Sequence, residues 1–144
     1  MSNVLLCLKE AEAFLKTSYF CDGEEFIDES YIFPNVVNLS FAGELYLKAL
    51  LMMTNKNGGY RRKHELNSLF LSLEPEVQRE IETQYRADKT CHSMHVTLES
   101  HSDHFKKWRY AFETKEALTV HLTDLGSLVR AIKNVAESFY DTQR

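Results

Sequence analysis

Apolar residues recur along most of this chain at spacings of three and four, the pattern of helices that turn one face to a core. Leu5, Leu8, Ala11 and Leu15 set that period for a first helix over 2–19, which Ser2 or Asn3 can cap. The acidic, turn-rich stretch CDGEEFIDESY at 21–31 reads as a solvated connector, with Pro34 near the start of the next helix. From Val36 and Val37 through Leu39, Phe41 and Leu45 to Met52 and Met53, the segment 35–55 is apolar nearly all round, so it predicts a helix in the middle of a bundle. Gly43 inside it costs ~1 kcal/mol relative to Ala, which close approach of a neighbouring helix explains. Asn57-Gly58-Gly59 supplies the turn that ends it. Leu66, Leu69, Phe70 and Leu73 mark a short helix at about 64–72, and Glu74-Pro75-Glu76 starts another that reaches about 90 through Val77, Ile81 and Tyr85. Residues 91–103 are polar and ambiguous, and Phe105, Trp108, Tyr110 and Phe112 form an aromatic helical segment. In the last helix Leu118, Leu122, Leu125, Val129, Ile132, Ala136 and Phe139 repeat every seven residues, the seam of near-antiparallel bundle packing. That seam can close within the chain or between two copies; packing within the chain is the preferred reading.

Composition sharpens this picture in a few places. The chain has 144 residues with 5 Gly and 2 Pro, too few turn residues for a many-stranded fold. The expectation is an all-α, up-and-down bundle of five to six helices forming one domain over 1–144. A net charge of -4 offers no overall attraction to nucleic acid or anionic membrane, so any such binding needs a local basic patch. No uninterrupted apolar run suggests a membrane span, and the N-terminus lacks the basic start of a signal peptide. Cys7, Cys21 and Cys91 show no CxxC spacing, which fits inert thiols in a reduced, cytoplasmic setting.

Three pieces together resemble one family. They are Asn38-Leu39-Ser40-Phe41-Ala42-Gly43-Glu44-Leu45-Tyr46-Leu47-Lys48-Ala49-Leu50-Leu51, then Lys63-His64-Glu65-Leu66 running on through Leu69-Phe70 to Leu73, then Trp108-Arg109-Tyr110 with Phe112-Glu113. An apolar helix reading ELYLKALL, followed by HxL, LF and WRY, is similar to bacterial HEPN-domain proteins over about 38–113. The resemblance implies a HEPN-like helical bundle, commonly a homodimer, associated with nucleotide or RNA binding. It also implies metal-independent ribonuclease activity in many members, which act in toxin–antitoxin or phage-defence systems beside a cognate partner protein encoded nearby. In those nucleases an Arg, four to six intervening residues and a His lie near the final helix, paired across a dimer.

Arg86 and His92 are the pair here with that spacing, and a base plus a cation is what metal-free RNA cleavage requires. Ala87 follows Arg86 where the nucleases carry a polar residue, and the pair precedes Trp108-Arg109-Tyr110. Two unrelated surface residues is therefore the preferred reading.

A second constellation lies in the resembling motifs. Glu44 and Lys48 share a helix face in the favourable order for an ion pair, inside a helix too apolar to face water. His64 and Arg109 are the candidates to join them in a polar pocket, as a ligand site or as a scaffold that fixes helix register. Arg61, Arg62 and Lys63, with Lys106 and Lys107 near Trp108, form a candidate basic patch. His92, His95, His101 and His104 cluster, but a solvated surface is the default over a metal site, and no cofactor is implied.

These features lead to a non-catalytic nucleotide- or RNA-binding HEPN module as the preferred function. The alternatives are an endoribonuclease using Arg86 and His92, and a structural interaction protein with no ligand.

Overall fold

The computed structural model describes residues 3–21, 32–54, 62–88, 90, 92–101 and 122–143. They form six helices: α1 (Asn3–Cys21), α2 (Ile32–Thr54), α3 (Leu66–Leu71), α4 (Pro75–Ala87), α5 (Met94–Ser100) and α6 (Leu122–Gln143). No strand occurs among the described residues. The protein is an all-α helical bundle, as the spacing predicts. The aromatic segment 105–112 and Leu118 lie outside the described residues.

α2 is the hub. It packs along α1 on one side and α6 on another, with α3 against it as well. Its residues Leu47, Ala49, Leu50 and Leu51 are each 0% exposed, and a fully buried Leu contributes ~2 kcal/mol. A side chain added at Gly43 would meet Leu66 Cδ2 at 3.3 Å and Val129 Cγ2 at 3.4 Å. The glycine therefore sits where α3 and α6 both press on α2, and this close approach accounts for its place in a helix interior. α2 begins at Ile32, earlier than the apolar pattern places it, because Pro34 is tolerated in a first turn whose amides lack helical partners.

The stretch Pro34–Thr54 is long and apolar enough to cross a membrane by length and composition, although Glu44 and Lys48 break its apolar run. Its most apolar 18-residue window is 61% buried inside the chain, the position of a core helix.

The seam of α6 is consumed in the same core: Leu125, Val129, Ile132 and Ala136 are buried and Phe139 is partly buried against them. α1 contributes Leu8, Ala11 and Leu15. α4 stops at Ala87, where Asp88 turns extended, short of the 90 expected from its pattern. The ambiguous polar stretch contains α5, whose N-cap Ser93 accepts a hydrogen bond from the Val96 amide at 3.3 Å. Seven residues are too few to display a helical period, so only this cap signals the helix in the sequence.

Candidate functional site

Two polar clusters interrupt the apolar packing. The first grows from α2. Glu44 is only 7% exposed, so its carboxylate needs partners. Lys48, one turn on, places Nζ 3.4 Å from Glu44 Oε2. His64, in the segment before α3, places Nδ1 3.5 Å from the same oxygen. The side chains of Glu44 and Lys48 are 9% and 14% exposed, whereas His64 is 70% exposed, so the imidazole forms the solvent side of the cluster. Arg62 and Lys63 are exposed on the same segment, and Lys63 Nζ donates to Ser72 Oγ at 2.8 Å. Residues 63 and 64 are thereby tied to α3 and α2 respectively. The structure thus brings Glu44, Lys48 and His64 together beside Arg62 and Lys63. Arg109, Arg61, Lys106 and Lys107 lie outside the described residues.

The second cluster holds His92 from α6 and α4, with α5 bonded to the α4 residue. His92 Nδ1 lies 2.7 Å from Asp124 Oδ2 in the first turn of α6, and its own backbone amide donates to that oxygen at 2.9 Å. The Tyr85 hydroxyl on α4 donates to the His92 carbonyl at 2.6 Å and stands 3.0 Å from Thr97 Oγ1 on α5. Asp124 is 3% exposed at its side chain, while the His92 ring is 40% exposed. An imidazole is thus presented to solvent by a buried carboxylate. Arg86 does not take part: its guanidinium bonds Glu82 Oε1 at 2.7 Å on the outer face of α4, and no hydrogen bond or ion pair joins it to His92.

The remaining histidines diverge. His95 Nε2 lies 3.2 Å from Glu99, one turn on along α5, and is exposed. His101 is fully buried at the end of α5, and His104 lies outside the described residues. Among the described residues no three His, Cys, Asp or Glu side chains gather as a metal-binding group.

α6 also carries an exposed cation, Arg130. Arg130 bends back along its helix: a Cβ at Gly126 would stand 3.2 Å from Arg130 Nη1. Its Nη2 donates to Ser127 Oγ at 3.3 Å and lies 3.8 Å from Asp88 Oδ2. The Asp124–His92 and Arg130–Asp88 contacts carry no spacing signal that sequence reading could use, since each joins α6 to the distant α4–α5 connector.

Comparison of the chain with protein-family models, with curated proteins and with solved structures gives no match in any of the three.

Proposed function

We propose that this chain is a non-catalytic nucleotide- or RNA-binding module of the HEPN kind, whose ligand face is the edge where α2 meets the segment before α3. The observation that carries the reading is the hub at Glu44 Oε2, which gathers an ammonium at 3.4 Å and an exposed imidazole at 3.5 Å. Lys48 keeps N–H donors beyond the one spent on Glu44, and Arg62, Lys63 and His64 stand exposed next to it. In a protein of net charge -4 this is a local positive edge suited to phosphate oxygens. Its setting by this reading is the cytoplasm, as a homodimer with a cognate partner in a toxin–antitoxin or defence system. The test is equilibrium binding of nucleotides and single-stranded RNA at several salt concentrations. Binding should saturate, weaken with salt, and for the single-stranded RNA lose about 0.7 of a unit of salt slope for each phosphate-contacting cation removed by Lys63→Ala or Arg62→Ala. Affinity indifferent to salt and to both substitutions would contradict it.

A second reading, a metal-independent endoribonuclease, is favoured by one observation: the half-exposed His92 imidazole held at 2.7 Å by buried Asp124. A His so oriented is equipped for general acid–base work. RNA degradation in the presence of chelator, lost in His92→Ala, is its expected outcome; degradation unaffected by that change would rule it out.

A further inference from the structure

Resting on the reading of the α2 edge as a nucleotide- or RNA-binding face, we infer that this edge selects guanine: Ser40, Glu44 and Lys48 read the base, and the exposed cations beside them hold its phosphate.

A phosphate site alone does not account for the arrangement. A carboxylate at its centre repels the ligand, yet Glu44 is the centre of this edge. Lys48 Nζ at 3.4 Å and His64 Nδ1 at 3.5 Å both approach one oxygen, Oε2, and both contacts are long for charge-assisted hydrogen bonds. The other oxygen, Oε1, takes no hydrogen bond among the described residues. Each carboxylate oxygen can accept two hydrogen bonds, so a side chain only 9% exposed keeps much of its accepting capacity unspent. A donor brought by a ligand recovers that cost.

A second observation lies one turn earlier on α2. Ser40 is 0% exposed, and its Oγ has no hydrogen-bond partner among the described residues. Native proteins rarely leave a buried hydroxyl in that condition. Residues four apart in a helix stand one above the other, so Ser40, Glu44 and Lys48 form one ladder along α2. Its rungs are a hydroxyl, a carboxylate and an ammonium, which gives two acceptors followed by a donor.

The Watson–Crick edge of guanine is the complement: two adjacent donors, N2–H and N1–H, then the acceptor O6. Uracil alternates acceptor, donor and acceptor. Cytosine sets one donor beside two acceptors, and adenine one donor beside one acceptor. Single-stranded bases are read on this edge and stacked on aromatic side chains. Guanine therefore gives N1–H to Glu44 Oε1 and N2–H to Ser40 Oγ. Lys48, which keeps N–H groups beyond the one spent on Glu44, donates to O6. The imidazole of His64, 70% exposed, supplies an aromatic face next to the base. Arg62 and Lys63 are exposed on the same segment and take the phosphate, so the carboxylate and the cations serve different parts of one ligand.

Calorimetric titration of the full chain with GMP, IMP and AMP tests this, beside two single-stranded RNA hexamers, one containing guanines and one of adenines alone. GMP should bind tightest. IMP, which lacks only the N2 amine, should bind several-fold more weakly, and AMP roughly tenfold or more weakly. Glu44→Gln keeps the shape of the side chain and should bring GMP down to the level of AMP. Ser40→Ala should bring GMP down to the level of IMP and leave IMP unchanged. Each effect is a ratio between ligands within one variant, so a loss of folded protein does not produce it. Tight GMP points to a free nucleotide as the source of the base, and a preferred guanine hexamer with weak GMP points to RNA; both support guanine selection. Equal affinity for GMP and AMP and for the two hexamers overturns the guanine assignment while the binding edge stands. A GMP preference that survives Glu44→Gln overturns the role of Glu44, and an unchanged GMP-to-IMP ratio in Ser40→Ala overturns that of Ser40. No binding of any nucleotide or RNA overturns the binding edge and this inference with it.

Discussion

His64 Nδ1 stands 3.5 Å from Glu44 Oε2, joining the segment before α3 to the middle of the core helix. The contact matters because the two side chains differ so much in exposure: an imidazole in water closes over a carboxylate that is nearly out of it. Lys48 holds the same oxygen from within α2, so Glu44 is contacted from both sides and the polar edge is fixed to the core helix.

That arrangement predicts a sign pattern for stability. Lys48→Met leaves the mostly buried Glu44 carboxylate with His64 alone and should cost about 1–3 kcal/mol. Glu44→Leu added to it should recover much of that loss, since replacing both partners of a buried pair by apolar groups is often neutral. Chemical denaturation of the two singles and the double measures this, and an additive double would mean the pair does not interact.

Gly43 gives a packing prediction. With Leu66 and Val129 at 3.3 and 3.4 Å from where a Cβ would stand, Gly43→Val overfills the α2–α3–α6 junction. The expected loss is about 1–3 kcal/mol, read as a lowered denaturation midpoint. A variant as stable as wild type would mean that α3 and α6 do not approach α2 this closely.

Cys7 predicts an alkaline weakness. Burial, with Glu10 adding to it, pushes its thiol up from 9.0 to about 11, and its Sγ donates to the Leu45 carbonyl at 3.1 Å. The folded state keeps the proton that the unfolded state releases, so this contribution is full below pH 9.0 and fades as pH climbs toward about 11. Denaturation midpoints should fall over that window, and fall less in Cys7→Ala. Native Cys7 should also resist alkylation until the chain unfolds.

Much of the fold is legible in the sequence because long helices repeat their apolar positions often enough to be counted. α1, α2 and α6 all fall close to where periodicity puts them, and Leu125, Val129, Ile132 and Ala136 are buried as their seven-residue repeat requires. The Glu44–Lys48 contact is legible too, being set by one helical turn. What sequence spacing does not carry is partnership across the chain. Asp124 reads as an ordinary acidic residue in a first helical turn, where the macrodipole favours it. Its bond to His92 spans 32 positions and exists only because the connector after α4 folds back onto α6. Arg86 and His92 illustrate the converse: they are close in sequence, yet the end of α4 sends one outward to Glu82 and the other inward to Asp124.

The most direct test of the binding edge is an NMR titration of the histidine ring protons with a short single-stranded RNA. The account predicts a saturable shift of the His64 ring, abolished in Lys48→Ala by loss of the adjoining cation, while the ring of His95 on α5 stays in place. A His64 resonance that does not move as RNA is added, or that moves no more than His95, would contradict it.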